Sequence, residues 1–132
     1  MILLDHAPKA TTTTFKLTPT QQVLLMPVGD IHEGSPGWPK DHFKSHIEWG
    51  LERGAYFLGM GEYFDFTSAS QREITSRLRS SALDELDAFR YERVERFGEL
   101  IKGSKGKWLG LLEGHHYWEY QDGTTTDQHL CR

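Results

Sequence analysis

Three short stretches of the chain place a glycine beside side chains that bind metal ions. They read Gly29-Asp30-Ile31-His32, Gly61-Glu62-Tyr63-Phe64-Asp65 and Gly114-His115-His116. Carboxylate oxygens and imidazole nitrogens together suit borderline divalent metals such as manganese, iron and zinc. If the three stretches meet in the fold, five or six such groups converge, and the chemistry they predict is that of a metal site.

Each stretch taken alone has an ordinary explanation. A carboxylate at the end of a strand usually caps a turn or a helix, and a histidine close to a tryptophan is usually a packed or surface residue. His116, two positions before Trp118, fits that ordinary description. Three clusters that follow three similar apolar runs favour one shared site over three unrelated caps.

The elements that must position these residues are three apolar runs, each followed by one of the glycines. The runs are residues 23–28, 55–60 and 108–112, and each is short and bounded by polar or glycine-containing segments. Such runs predict buried β-strands. We expect the three strands to be parallel neighbours, because the carboxyl ends of parallel strands share one edge of the sheet, where sites are built.

Segments with the periodicity of α-helices lie between the predicted strands. Apolar residues recur every four positions at Phe43, Ile47 and Leu51, and residues 74–101 carry a longer apolar stripe with a break near Ser80. Charged residues on the other faces of these helices are typical of a solvated surface. Strands that alternate with helices predict an α/β fold with a largely parallel sheet.

Composition narrows the class of protein. The chain has 132 residues and a net charge of −4, which argues against a broad basic surface that wraps nucleic acid. Its single cysteine, Cys131, excludes a disulfide framework within the chain, and no stretch is long and apolar enough for a membrane span.

The N-terminus lacks the features of a signal peptide, so we expect a cytoplasmic protein. Residues 1–13 are predicted to be a mobile lead-in and residues 14–132 the domain.

The three stretches resemble the motifs of the calcineurin-like metallophosphoesterases. The family's opening motif, Gly-Asp-x-His, is matched in full by residues 29–32. Its second motif, Gly-Asp-x-x-Asp, is approximated by residues 61–65, and its third, Gly-Asn-His, by residues 114–116. The order and spacing agree over residues 22–120. The resemblance implies the N-terminal half of a four-layer α/β/β/α sandwich.

The resemblance also implies a two-metal site that hydrolyses phosphate mono- or diesters, with DNA or RNA among the candidate substrates. The cofactors would be two divalent ions of manganese, iron or zinc. Each residue then takes the role of its counterpart in the family: Asp30 and His32 hold the first metal, Glu62 bridges, His115 contacts the second metal, His116 is the general acid, and Asp65 orients His116.

Two positions depart from the family's pattern, and both are ligand positions. Glu62 stands where the family has aspartate, and His115 stands where it has asparagine. The family's later histidine motifs have no counterpart before Arg132, so we expect a partial domain. The alternative to an enzyme is therefore a degenerate, non-catalytic relative that binds metal or is purely structural. A further alternative is an ordinary α/β domain in which the glycines are coincidental.

Overall fold

The computed structural model describes residues 12–132, so the predicted lead-in at residues 1–13 lies almost wholly outside the described part. The elements in chain order are β1 (Leu25–Val28), α1 (Lys40–Glu52), β2 (Tyr56–Gly59), α2 (Ala69–Thr75), α3 (Ser80–Ile101), a 3₁₀ turn (Lys102–Ser104), β3 (Trp108–Leu111) and α4 (Thr126–Leu130). Strands and helices alternate through most of this order, and the predicted α/β class is confirmed.

Within residues 12–132 the strands form one sheet in the order β1-β2-β3, and both pairings are parallel. Leu25 lies opposite Tyr56 and Val28 opposite Gly59, while Gly59 lies opposite Leu111 on its other side. The prediction that the three apolar runs are neighbouring parallel strands is confirmed. All three strands therefore end at one edge, which is where the metal-binding side chains follow.

Helix α1 covers one face of the sheet. Its Ile47 packs with Ala55 and Phe57, both fully buried, and with the partly buried Met26 and Val28 of β1. Burying an aromatic side chain such as Phe57 contributes about 1.5–3 kcal/mol to stability. This cluster fixes α1 over β1 and β2 and thereby anchors the start of the loop that carries Asp30.

A second cluster lies beyond the strand ends and is mostly aromatic. Phe64 stacks on Phe66 with ring centroids 4.8 Å apart, and its edge meets Phe97 of α3. Tyr63 and Trp118 are buried in the same cluster. Because Tyr63, Phe64 and Phe66 flank Glu62 and Asp65 in sequence, their burial holds the second motif in place.

The predicted helix over residues 74–101 is interrupted. Helix α2 ends at Thr75 and α3 begins at Ser80, close to the break expected near that residue. Helix α4 was not predicted, because five residues are too few to show a helical period. No helix among residues 12–132 is both long and apolar enough to cross a membrane.

The opposite face of the sheet presents apolar side chains to solvent. Leu25, Leu58 and Met60 expose 54%, 39% and 49% of their surface, whereas Phe57, which points to the other face, is fully buried. Parallel sheets are usually covered on both faces. The described part of the chain therefore has a two-layer arrangement, with α1 and α3 on one side of the sheet.

Candidate metal centre

The loops that follow β1 and β2 are joined by backbone hydrogen bonds beyond the last strand residues. The N–H groups of Ile31 and His32 both donate to the carbonyl of Glu62, at 2.9 and 3.0 Å. The N–H of Asp30 donates to the carbonyl of Gly61 at 3.2 Å. These bonds place the first and second motifs side by side.

The third motif is attached to Glu62 by both oxygens of its carboxylate. The backbone N–H of His115 donates to Oε1 at 2.6 Å, and Nδ1 of His116 lies 2.5 Å from Oε2. Gly114 passes so close that a Cβ at that position would lie 2.8 Å from Oε1 of Glu62 and would collide with its backbone nitrogen. Glycine is therefore required there by the approach of the two loops.

Three of the predicted ligands hold a left-handed backbone. The φ angles of Asp30, His32 and Glu62 are 54°, 49° and 56°, and these are the only non-glycine residues with positive φ in the described part of the chain. Such conformations cost of the order of 1 kcal/mol or more for non-glycine residues. The backbone hydrogen bonds between the loops keep them in place, and strain of this kind concentrates at functional sites.

One cluster of potential ligand atoms meets the distances needed to share an ion. Nitrogens of His32 and His116 and a carboxylate oxygen of Glu62 all lie within 4.8 Å of one another. The three side chains are partly buried, so the cluster is shielded but open to solvent. Two imidazoles and one carboxylate form a mixed set that suits zinc, manganese or iron.

The other predicted site residues surround this cluster. Oδ1 of Asp30 lies 2.9 Å from Nε2 of His32, and Oδ1 of Asp65 lies 3.5 Å from Nδ1 of the same ring. Nδ1 of His115 lies 2.6 Å from Oε1 of Glu62. Asp30 and His115 are largely exposed, at 87% and 77%. All the side chains singled out in the sequence are thus brought together.

Their pairing differs from the arrangement expected from the resemblance. Asp65 was expected to orient His116, whereas its carboxylate lies beside the ring of His32. His116 was expected to stand away from the metals, whereas its ring belongs to the cluster with His32 and Glu62. Glu62, which is one methylene longer than the family's aspartate, contacts both histidines of the third motif.

The charge of Glu62 is set by opposing effects. Burial raises the pKa of its carboxyl group. The hydrogen bonds from the His115 backbone and the His116 ring lower the pKa, as do the charges of both histidines, and these effects together outweigh burial. The net pKa lies below the usual value of 4.5. At neutral pH the cluster therefore contains a full negative charge, on the carboxylate that faces the rings of His115 and His116.

Asp127 supports the third motif and was not identified from the sequence. Its side chain is buried, and Oδ2 accepts a hydrogen bond from the N–H of Gly114 at 2.9 Å. Burial raises the pKa of this carboxyl group. The detectable signal was the capping box of Thr125 and Gln128, which predicts a helix that begins beside Asp127.

Arg72 is a second support that the sequence does not reveal. Its Nη1 donates to the carbonyls of Thr67, His115 and Tyr117, at 2.5, 3.0 and 3.1 Å. The guanidinium also lies 4.0 Å from the ring centroid of Tyr117. The contacts with His115 and Tyr117 span 43 and 45 positions of sequence, and they hold the loop that carries both histidines.

The first motif is held from the other side by an ion pair. Nη2 and Nε of Arg93, on α3, donate to the two carboxylate oxygens of Glu33 at 2.6 and 3.2 Å. Glu33 is buried and directly follows His32. A bidentate pair of this kind fixes the direction in which the loop leaves the site.

Comparison of the chain with models of protein families, with curated proteins and with solved structures finds no match. The residues at the strand ends and their geometry therefore indicate the function.

Proposed function

We propose that this chain is a metallophosphoesterase module of the calcineurin-like type, which hydrolyses phosphate mono- or diesters with the help of divalent metal ions. Nucleic acid is among the candidate substrates. The observation that carries the proposal is the convergence of His32, Glu62 and His116 within 4.8 Å at the ends of three parallel strands. These residues stand at the positions of three stretches that resemble, in order, the motifs of that family, the second and third with one departure each.

The donor set fits the expected metals. His32 and Glu62, with Asp30 beside them, would hold an ion of manganese, iron or zinc, because imidazole and carboxylate together suit borderline cations. An ion bound there would lower the pKa of a water and neutralise charge on the phosphoryl group. The negative charge of Glu62 at neutral pH supports binding of a cation.

Glu62 is also arranged to serve two ions. Its Oε1 faces the ring of His115, and its Oε2 faces the ring of His116, so the two oxygens point in different directions. Asp30 extends the set on the other side through its contact with His32. This distribution of donors on both sides of one carboxylate supports the two-metal form of the proposal.

His116 is the proposed proton donor to the leaving oxygen. Its Nδ1 faces Oε2 of Glu62, so Nε2 is the ring nitrogen left to hold a proton for transfer. The Glu62 contact fixes the orientation of the ring, as a carboxylate commonly does for a catalytic histidine. Proton donation of this kind contributes about 10²–10⁴-fold to rate.

A second candidate function is metal binding without hydrolysis. The observation that favours it is the number of ligands: among residues 12–132 one group of three side chains meets the distance condition, which is enough for one ion. Glu62 and His115, which depart from the family's pattern, are the residues on which the second ion depends. The two candidates differ in whether bound metal produces turnover.

Hydrolysis of bis(p-nitrophenyl) phosphate, measured with manganese and again after chelation, separates the candidates. We expect manganese-dependent turnover that Glu62→Gln reduces by more than about 100-fold, since direct ligands matter at least as much as the groups that orient them. Glu99→Gln, a matched change at an exposed glutamate that pairs with Lys102, should leave turnover unchanged. Manganese binding without turnover would favour the non-catalytic candidate, and the absence of both would reject the site.

A further inference from the structure

Two further histidines lie together on α1, away from the strand-end cluster. His42 and His46 are one helical turn apart, and their ring centroids are separated by 4.4 Å. Both side chains are exposed. Within residues 12–132 neither ring has a hydrogen-bond or ion-pair partner, so the ring nitrogens have no structural task in the described part of the chain.

The spacing and the chemistry of this pair are those of a chelate. Side chains four positions apart lie on the same face of a helix, and two histidines at that spacing are a known arrangement for binding zinc. A pair of imidazoles with no carboxylate favours zinc, nickel and copper(II) over manganese, magnesium and calcium. Manganese also binds nitrogen ligands most weakly among the divalent metals of this row.

The pair borders a groove that has room for further ligands. The groove has a volume of about 430 Å³ and runs between α1 and β1. Val28 and Phe43 are among its apolar lining residues, and Asp30 lines it as well. Water or an anionic ligand in the groove can complete the coordination of an ion held by the two rings.

We propose that His42 and His46 chelate one divalent ion of the zinc, nickel and copper class, at a site separate from the strand-end cluster. The ion is bound by two neutral imidazoles from one face of α1, and its remaining positions face the groove. This site does not depend on the proposed hydrolase function, because none of its protein ligands belongs to the cluster of His32, Glu62 and His116.

Equilibrium dialysis with metal analysis tests the proposal on the full chain. We expect His42→Ala/His46→Ala to bind one zinc ion fewer per chain than the wild type, and to bind manganese as the wild type does. The matched control is Lys44→His/His46→Lys, which keeps the number of histidines but moves them two positions apart, on different faces of the helix. It should lose the same zinc ion.

Circular dichroism of each variant establishes that the fold is retained, which is expected because both histidines are exposed. An unchanged zinc count in the double alanine variant would overturn the proposal. A control variant that keeps the full zinc count would also overturn it, since binding would then not require the spacing of one helical turn. Loss of manganese together with zinc would contradict the separation of the two sites.

Discussion

Nδ1 of His116 lies 2.5 Å from Oε2 of Glu62, and this contact joins the loops that follow β2 and β3. The other oxygen of the same carboxylate accepts a hydrogen bond from the backbone N–H of His115. Glu62 therefore has two tasks: it is a candidate metal ligand, and it positions the loop that carries the other histidines. Variants that separate these tasks are the most informative.

Gly114→Ala should damage the cluster while the sheet and helices remain. The new Cβ would lie 2.8 Å from Oε1 of Glu62, so the third loop must move away from the carboxylate. We expect a loss of about 1–3 kcal/mol in the free energy of unfolding, together with at least about 10-fold weaker manganese binding. Denaturant titration and calorimetry provide the two measurements.

The control for Gly114→Ala is Gly98→Ala, in the last turn of α3. No atom lies within 4 Å of the Cβ that this change adds, and alanine is favoured over glycine in a helix by about 0.5–1 kcal/mol. This variant should be slightly more stable and bind manganese normally. Equal effects of the two changes would mean that the close approach to Glu62 is unimportant.

Asp127 offers a test of the hydrogen bond beneath the third loop. Asp127→Ala leaves the partly buried N–H of Gly114 without its acceptor, which costs up to about 1–3 kcal/mol. Asp127→Asn keeps an oxygen acceptor and removes a buried charge, and burial raises the pKa of this carboxyl group. We therefore expect the asparagine variant to be as stable as the wild type or more stable at pH 7, by thermal unfolding.

Much of the fold and of the candidate site could be predicted from the sequence. The three strands are recognisable because each is a short apolar run that ends in glycine, and parallel pairing follows from the helical segments between them. The convergence of Asp30, Glu62 and His116 is a consequence of that topology. These features depend on local pattern, and local pattern is what a sequence displays most directly.

The supporting contacts could not be predicted, because they depend on side chains that are far apart in sequence. Arg72 reaches the carbonyl of His115, 43 positions away, and no periodicity marks such a contact. The left-handed backbone of Asp30 and Glu62 was also unexpected, since glycine is the residue that usually adopts it. The pairing of Asp65 with His32 likewise depends on loop geometry that the motifs do not encode.

The pH dependence of stability should include a contribution from Glu62. The pKa of its carboxyl group is lower in the folded state than the usual value of 4.5, so the folded state binds fewer protons than the unfolded state near that pH. Its contribution is present above pH 4.5 and is lost as the pH falls through the lower folded pKa. Thermal unfolding of the wild type and Glu62→Gln between pH 3 and pH 7 measures it.

The difference in melting temperature between these two proteins should be largest at neutral pH and should shrink as the solution becomes more acidic. Glutamine has the same length and cannot titrate, so it removes the charge with little change in packing. A difference that stays constant over the whole range would show that the charge of Glu62 contributes nothing to folding.

His115 and His116 should differ in their effects on hydrolysis. His115→Asn restores the residue of the family motif and keeps the backbone N–H that donates to Glu62, so activity should be equal or higher. His116→Asn removes the proposed proton donor and should lower turnover by about 10²–10⁴-fold with poor leaving groups. The loss should be small with nitrophenolate, which departs without a proton.

Rates for a series of phosphodiesters with leaving groups of increasing pKa test this assignment. The logarithm of the rate should fall more steeply with leaving-group pKa in His116→Asn than in the wild type. Equal losses in both histidine variants, independent of the leaving group, would reject the separate roles and favour a structural task for both rings.

The most direct test of the central claim is calorimetric titration of the chain with manganese. The claim is that the strand-end cluster binds a divalent ion through His32 and Glu62. We expect saturable binding by the wild type, at least about 10-fold weaker binding by His32→Ala, and unchanged binding by His129→Gln, whose ring contacts Thr124 outside the cluster. The absence of saturable binding by the wild type, or equal affinity in the wild type and His32→Ala, would contradict the account.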